Sequence, residues 1–399
     1  MCSFHVIGIS DESLPVFNKE VQELMASASY FSGGARHFEL VQDLLPLDYQ
    51  WIDVEVPLAK TFTHYEAIAE PIIVFASGDP LFFGLANTLK REFPSAAMNV
   101  YPSFNSLQML AHACLLPYGH MSITTLTGRP WVNIDQELIK GKALIGVLTD
   151  KKKTPAAIAK RMLAAGINNY CAYLGERMGG ERQRVQKLSI EQLSSVDAQM
   201  PNCLILEKTG DFKRSIGIPE EEMHHLAGRP KMMTKRSIRL MSLSILKLDA
   251  AKVMWDIGFC TGSVSIEAKQ MAPHVDVYAI EKREESRDLM TKNQQKYRVP
   301  GINHSIGDFF EMDLSLWPEP DRVFIGGHGG RLELMLQKLD AVLQTDGIIV
   351  FNAVSSETEK IFREVTTRLG YGISDSMILQ QDAHNPVNIL QASKHKRNE

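Results

Sequence analysis

Cysteine is scarce in this chain, and what there is stands badly for crosslinks or metal. Five cysteines, Cys2, Cys114, Cys171, Cys203 and Cys260, are scattered over 399 residues. None forms a Cys-x-x-Cys pair or has a histidine at zinc-finger spacing, which excludes the usual disulfide and zinc frameworks and fits a reducing cytoplasm. Long apolar runs are missing too. No uninterrupted stretch approaches the roughly twenty residues of a membrane span. The first residues run into a strand pattern with no basic leader, so neither a secretion signal nor a membrane span is expected. An excess of one charge is also lacking: the formal net charge is −4, which gives no global drive toward nucleic acid. The two halves share no repeat. What remains is a globular composition, 44% apolar and 23% charged, in a chain long enough for two domains with their own cores.

Short strand-like runs at residues 4–9, 72–76, 143–148, 169–174 and 203–207 alternate with helical patterns at 16–28, 85–92, 106–113 and 154–165. Such alternation predicts α/β layering. From 208 to 231 the pattern lapses into Gly210-Asp211, Gly217-Ile218-Pro219 and Gly228-Arg229-Pro230, breakers that predict a linker or entry segment. A helix is expected from Thr234, as its N-cap, to Leu246. A second βα series follows, with strands at 253–257, 275–280, 322–325 and 348–351, later strand patterns near 371–379 and 387–393, and a frayed polar tail from 394. The expected division is a domain at 1–209, a linker at 210–230 and a domain at 231–399.

In the second series, Trp255-Asp256-Ile257 leads into Gly258-Phe259-Cys260-Thr261-Gly262 and then an apolar helix start, the place where an α/β sheet admits a nucleotide-like ligand. Glu281 ends the next apolar run, about twenty residues past the turn, where a carboxylate can accept both hydroxyls of an adenosine ribose. A Gly-x-Gly-x-x-Gly loop is absent, so S-adenosylmethionine suits the turn better than a dinucleotide pyrophosphate. Cys260 reads as a packed small side chain or as a reactive thiol. Further on, Gly326-Gly327-His328-Gly329-Gly330 leaves space for a large flat substrate and presents amides to carboxylates. His328 is there either to donate a proton or bind a carboxylate, or as an ordinary loop residue. In the first half the sharpest motif is Gly78-Asp79-Pro80, directly after a strand. Asp79 either accepts from the α-ammonium of a methionine moiety or caps a helix beginning near Leu81.

Ser77-Gly78-Asp79-Pro80-Leu81-Phe82-Phe83-Gly84 is followed in order by Phe104-Asn105-Ser106-Leu107, Leu126-Thr127-Gly128-Arg129-Pro130, Leu148-Thr149-Asp150 and Leu174-Gly175-Glu176-Arg177. Over residues 4–209 this series resembles the tetrapyrrole methylase family, in its precorrin C-5 methyltransferase branch. The resemblance implies a two-lobed class III methyltransferase fold that holds S-adenosylmethionine at Gly78, Asp79, Pro80, Phe83, Asn105, Ser106 and Thr149. The first loop, Gly8-Ile9-Ser10-Asp11-Glu12, departs from the glycine-rich turn of many members. Arg129, Arg177, Arg182 and Arg184 are candidates for tetrapyrrole carboxylates, and each also reads singly as a solvated surface charge.

Residues 217–393 are similar to precorrin C-15 methyltransferases, which also remove the carboxyl of a ring acetate. The motifs that carry this are Arg229-Pro230-Lys231-Met232-Met233-Thr234-Lys235, Gly307-Asp308-Phe309-Phe310, the 326–330 loop and Phe351-Asn352-Ala353-Val354. The likeness implies a Rossmann-like class I domain whose cofactor meets Thr234, Gly258, Phe259, Cys260, Thr261, Gly262, Glu281, Asp308 and Phe309. It also implies a catalytic loop at Gly327, His328 and Gly329. Fusion of the two is the arrangement of bifunctional, decarboxylating precorrin C-5,15-methyltransferases of cobalamin biosynthesis. The expectation is then one S-adenosyl-L-methionine per domain, a precorrin or cobalt-precorrin acceptor, no resident metal, no nucleic-acid or membrane partner, and a cytoplasmic homo-oligomer. The rival readings are a methyltransferase acting on RNA or protein, and a corrinoid-binding protein of the same fold without turnover.

Overall fold

Runs such as Ile72-Ile73-Val74-Phe75, fully buried, can be covered on both faces, which is what a central parallel strand requires. In a computed structural model, which describes residues 3–10, 15–229, 232–374, 376–380 and 386–395, such runs organise two compact units. The first comprises Met1–Gly128, Ala143–Ala159 and Tyr170–Thr209, and the second Arg129–Lys142, Lys160–Asn169 and Gly210–Glu399.

The first unit holds a parallel sheet of β1 (Ser3–Ile9), β2 (Tyr30–Gly33), β3 (Gln50–Asp53), β4 (Pro71–Ser77) and β5 (Met98–Tyr101), in the order β3-β2-β4-β1-β5. A second sheet contains β6 (Ser122–Thr125), β7 (Leu144–Leu148), β8 (Tyr170–Glu176), β9 (Arg184–Ser189) and β10 (Asn202–Lys208), in the order β6-β7-β10-β8-β9. It is antiparallel apart from the β6–β7 pair. Helix Ser106–Ala113 buries Leu107, Leu110 and Ala111 in one cluster with Tyr173, Cys203 and Ile205 of this sheet. Its start is fixed by Asn105, whose side chain accepts from the Gln108 amide while Gln108 returns the bond, a capping box.

The second unit carries β11 (Val253–Ile257), β12 (Asp276–Glu281), β13 (Ile302–Ile306), β14 (Arg322–Ile325), β15 (Ile348–Ala353), β16 (Tyr371–Ile373), β17 (Met377–Leu379) and β18 (Val387–Lys394). The order is β13-β12-β11-β14-β15-β18-β16, with β17 also on β18. The first five strands are parallel and β18 runs against β15. Alternate residues feed two cores: Met254, Val277 and Phe324 belong to one face, Trp255, Ile257 and Val323 to the other. Between β11 and β14 the strand order reverses, the switch point at which open α/β sheets bind ligands.

Several boundaries differ from the sequence expectation. Helix Lys19–Ser27 begins later than residue 16, at the Asn18 cap, and Val16 is exposed. After Gly78-Asp79-Pro80 the helix starts at Leu85, so Asp79 caps no helix at Leu81. Instead, Asp79 Oδ1 accepts from the Leu81 amide and closes a turn. The expected Thr234 cap is displaced: the helix is Arg236–Ile245, and the Glu220 carboxylate accepts from the Arg236 amide at 2.6 Å. Lys394 is not frayed, since it ends β18 and its Nζ bonds the carbonyls of Asp340 and Leu343. Asp11 and Glu12 of the first loop, Pro230 and Lys231, and the tail from 396 lie outside the described residues.

The stretch after Gly210 is packed rather than strung out. Ile218, Met223 and Leu226 are buried, and the amides of Gly217 and Ile218 both donate to Glu267 Oε1 at 2.6 Å. Glu267 also takes the Arg239 guanidinium, and both side chains are fully buried. Helix Val132–Lys140, unseen in the sequence pattern, belongs to this second unit, and its Asp135 is gripped by Arg161 through Nε (2.7 Å) and Nη2 (2.6 Å).

Candidate functional site

Each unit builds a cavity where strand ends meet through glycine. In the first unit, Gly78 has φ +62°, and a Cβ there would stand 2.9 Å from the Asn105 Cα. A Cβ on Gly8 would lie 1.9 Å from the Gly78 carbonyl oxygen. Backbones this close leave no room for any side chain. The Gly78 amide donates to the Ile9 carbonyl at 2.7 Å, which joins the ends of β1 and β4. Beside this junction lies a cavity of about 660 Å³ lined by Gly78, Phe83, Asn105 and Ser106.

Asp79, Pro80 and Thr149 stand outside that lining. Asp79 shapes the turn, and the Pro80 carbonyl accepts from Ala86 at the start of the next helix. Thr149 donates its hydroxyl toward Asn202, whose side chain Oδ1 is 2.6 Å away, and Asn202 itself faces the cavity. Arg36, His37 and Ser77 also line it and were not among the site residues read from the sequence. His37 Nδ1 accepts from the Gly34 amide (3.2 Å), so its proton sits on Nε2, which reaches Ser77 Oγ at 2.9 Å. Burial, helped by Arg36, pulls the His37 pKa down to about 4, so the ring is neutral at physiological pH. The pair Gly33-Gly34 at the end of a short aromatic strand was the available signal.

In the second unit, Gly258 has φ +81°, and a Cβ there would come within 2.6 Å of the Gly327 amide nitrogen. The amides of Gly326 and Gly327 donate to the Ile257 carbonyl at 2.8 and 3.1 Å, which ties the end of β14 to that of β11. The cavity here is about 320 Å³, lined by Gly258, Cys260, Glu281, Asp308, Phe309 and the loop Gly327, His328 and Gly329. Thr234, Phe259, Thr261 and Gly262 do not line it. Phe259 is buried in the core, Thr234 offers its carbonyl to Arg239, and Gly262 sits against the Met290 sulfur. Thr261 is buried, and its carbonyl accepts from Asn293 at 2.9 Å.

Electrostatics separate the roles of these residues. Glu281 is buried; its Oε2 accepts from the Cys260 amide, and its Oε1 accepts from the Lys282 and Arg283 amides and the Arg283 guanidinium. Its carboxylate is thereby fixed against the glycine turn. Burial, with Glu281 nearby, pushes the Cys260 thiol up to about 11, so it stays protonated at the cavity wall. Asp256, two residues before Gly258, is fully buried and pushed up to about 7. Its Oδ2 accepts from Ser265, while Oδ1 has no hydrogen-bond partner among the described residues. Asp256 stands outside the cavity lining, so its carboxyl underlies the glycine cradle from within the core.

At the mouth, Arg331 donates to Asp308 Oδ2 at 2.5 Å and lies 3.7 Å over the Phe310 ring. The Phe310 amide, with Arg331, holds the Asp308 carboxyl below its ordinary range. His328 Nδ1 accepts from the Gly330 amide at 3.2 Å, so its Nε2 carries the proton, and burial lowers its pKa. The ring therefore serves as a neutral hydrogen-bond donor. Arg331 was missed because its value depends on Asp308 and Phe310, more than twenty residues upstream.

Residues 228–393 match the precorrin methyltransferase domain family. Over 368 residues the chain is 27% identical to a precorrin-6Y C(5,15)-methyltransferase [decarboxylating] from Sinorhizobium sp, covering 92% of this chain and 88% of that protein. It is 33% identical to a probable cobalt-precorrin-6B C(15)-methyltransferase (decarboxylating) from Sulfurisphaera tokodaii, across 45% of this chain and 97% of the relative. A crystal structure of a precorrin-6y C5,15-methyltransferase from Geobacter metallireducens GS-15 is 34% identical, covering 45% of this chain and 97% of its own, with a TM-score of 0.42. Likeness to fused relatives along nearly the whole chain, and to single-domain relatives along its second half, means that the chain belongs to the decarboxylating precorrin C(5,15)-methyltransferase family.

Proposed function

We propose that this chain methylates a precorrin at C-5 in its first unit and at C-15 in its second, and removes the carboxyl of a ring acetate in the second, within cobalamin biosynthesis. The observation that carries this is the pair of independently built glycine cradles, Gly8 against Gly78 and Gly258 against Gly327, in one chain of this family. S-adenosyl-L-methionine, one per unit, supplies a sulfonium-activated methyl group. In the first unit, the backbone at Gly78 and the polar side chains of Asn105 and Ser106 seat the donor, while Phe82, Phe83 and Phe104 exclude water and offer a flat apolar surface to the acceptor. In the second, Glu281, fixed against the glycine turn, would accept from the ribose hydroxyls. Each site has then chiefly to hold donor and nucleophilic carbon in line.

For decarboxylation, the amides of His328 and Gly329 and the His328 Nε2–H grip the acetate carboxylate. The bond to carbon dioxide breaks with its electron pair entering the substrate's conjugated, protonated pyrrole system. No protein nucleophile takes part, consistent with the protonated Cys260. Among the described residues no helix is long and apolar enough to cross a membrane. We place the enzyme in the cytoplasm as a homo-oligomer without nucleic-acid partners; the near-balanced charge supports the last point.

The test is titration calorimetry of the full chain with S-adenosylmethionine, followed by incubation with cobalt-free and cobalt-bearing precorrin and mass readout. Two donor sites per chain, and a product with two added methyl groups and one carbon dioxide lost, are expected. Absence of donor binding overturns the proposal. Donor binding without turnover of either substrate form gives way to the corrinoid-binding reading.

A further inference from the structure

In the sheet order of the second unit, β12 and β11 separate β13 from β14, so the turn after β13 and the loop after β14 stand on opposite sides of the switch point. A side chain joins them. Arg331, which follows the loop of residues 326–330, donates through Nη2 to Asp308 Oδ2 at 2.5 Å, and its guanidinium lies 3.7 Å over the Phe310 ring. Asp308 is set to receive it, because its other oxygen accepts from the Phe310 amide at 2.9 Å. All three residues line the cavity. The bridge therefore runs from a wall of the donor cavity to the loop that takes the acetate carboxylate.

The two walls are not equally firm. The turn at Asp308 is held without Arg331, since Lys338 Nζ donates to the carbonyls of Phe309, Phe310 and Met312 at 3.0, 3.1 and 3.1 Å. The loop is tied at its ends, by the Gly326 and Gly327 amides on the Ile257 carbonyl and by the buried Leu332. Between these ends Gly329 and Gly330 stand at φ +57° and +79°, and a Cβ on either would meet nothing within 4 Å. His328 leans edge-on against Phe351, and the Arg331 amide closes the turn on the His328 carbonyl at 3.0 Å. The Arg331 side chain is what carries this open stretch to the opposite wall. Yet the pair is exposed to water, Arg331 by 44% and Asp308 by 24%, and such a pair is a weak tether. A donor seated against Asp308 and Phe310 would displace that water and strengthen the pair.

We propose that Arg331 is a positioning residue of the second reaction: through Asp308 and Phe310 it sets the loop of residues 326–330 for the acceptor's carboxylate, most firmly when the methyl donor is bound. Donor and acceptor then bind with positive linkage, which favours carbon dioxide release beside a methyl group ready for transfer. The inference rests on the function proposed above and deepens it. It also explains why a guanidinium stands here, since an ammonium could pair with Asp308 but could not stack flat on Phe310.

The experiment is steady-state turnover of precorrin by the full chain at limiting and at saturating S-adenosylmethionine, with carbon dioxide release and the two methylations followed by mass. In the parent, saturating donor should lower the precorrin KM of carbon dioxide release about fivefold. Arg331→Gln should raise that KM about tenfold and leave it indifferent to donor, with kcat changed less than about threefold. Asp308→Asn should also abolish the donor response, and the double variant should lie close to the worse single one, because the two side chains act as a unit. Arg331→Lys should restore part of the response. C-5 methylation by the Arg331→Gln chain should match the parent, which shows that it is folded. A parent KM indifferent to donor, an Arg331→Gln chain that keeps the parent's response, or losses from the two single changes that multiply in the double variant each overturns the positioning role. A parent that neither methylates C-15 nor releases carbon dioxide strikes the proposed function and the positioning role with it, so the two failures are distinguishable.

Discussion

In the first unit the cradle joins β1 to β4, and its walls include aromatic rings, hydroxyls, a neutral histidine and the Arg36 guanidinium. In the second it joins β11 to β14, and behind it sit two buried carboxylates, Asp256 and Glu281. The common requirement is close approach of backbone to ligand, and both units meet it with facing glycines from two strands. What differs is the source of polarity. The first unit sets the Arg36 guanidinium beside a histidine that is neutral near pH 7, whereas the second carries in its core a carboxyl, Asp256, that is pushed up to about 7. A family of one-carbon transfer reactions can therefore share a donor while exposing its two sites to pH in different ways.

The sharpest way to break the comparison is to add a Cβ. Gly258→Ala would drive a methyl group to 2.6 Å from the Gly327 amide at a backbone conformation alanine avoids. Donor affinity at the second site should fall by roughly a hundredfold or more. Calorimetry should then register one donor site per chain, with C-5 methylation surviving and C-15 methylation and carbon dioxide release lost. Gly8→Ala should give the mirror result, since its Cβ would stand 1.9 Å from the Gly78 oxygen. If either change silenced both sites equally, the two cradles would not be independent.

The next effect concerns stability. In the second unit the segment leading to Met232, which lines the cavity, is tied down by Glu267, which takes two amides and the Arg239 guanidinium without solvent. Glu267→Ala leaves a buried cation unpaired and should cost ~3–5 kcal/mol. Denaturant unfolding should show the loss in the second unit's transition. The first-unit donor site should still titrate at low denaturant. An unchanged transition would mean that the segment is held by its apolar residues, Ile218, Met223 and Leu226, alone.

These cases also show what the sequence makes legible. Gly78, Gly258 and Glu281 announce themselves because backbone geometry and strand ends leave a local signature: glycine where a Cβ clashes, an acid where an apolar run stops. The parallel strands β4, β11 and β14 were readable for the same reason, as short apolar runs. Arg36, His37 and Arg331 were not. Arg36 meets Ser77 across 41 residues, through the pairing of β2 with β4, and no local pattern encodes that neighbour. The Thr234 cap failed similarly, because Glu220 takes the Arg236 amide from sixteen residues away. Helix Val132–Lys140 lies within the sequence of the first half, yet Ile139 joins the core of the second unit, a placement that only tertiary packing decides.

The pH contrast makes a smaller but cleaner prediction. Asp256 has a folded pKa of about 7 against an ordinary 3.8, so the folded chain holds the extra proton between those values. Its contribution to stability is present below about pH 4, is lost as pH rises, and is gone above about 7. Asp256→Asn removes that dependence while keeping an acceptor for Ser265. Relative to the parent, the variant should gain ~2 kcal/mol on going from pH 5 to pH 8. Paired unfolding curves at the two pH values measure it. Equal differences at both would show that Asp256 ionises freely in the folded state, and the electrostatic distinction between the units would fail.

The smallest effect sharpens the neutral side of the contrast. Thr149 does not touch the first cavity, but its hydroxyl is within 2.6 Å of Asn202 Oδ1 and within 2.8 Å of the Asn202 carbonyl, and Asn202 does face it. Thr149→Val preserves shape and removes these bonds, so stability should drop by ~1 kcal/mol. Donor affinity at the first site should weaken by about threefold, because Asn202 is freed to rotate rather than lost. No charge changes, so the effect should be the same at pH 6 and pH 8, unlike that of Asp256→Asn. A pH-dependent loss in Thr149→Val would mean that an ionising group also governs the first cradle, and the division between a pH-insensitive and a pH-sensitive donor site would have to be drawn elsewhere.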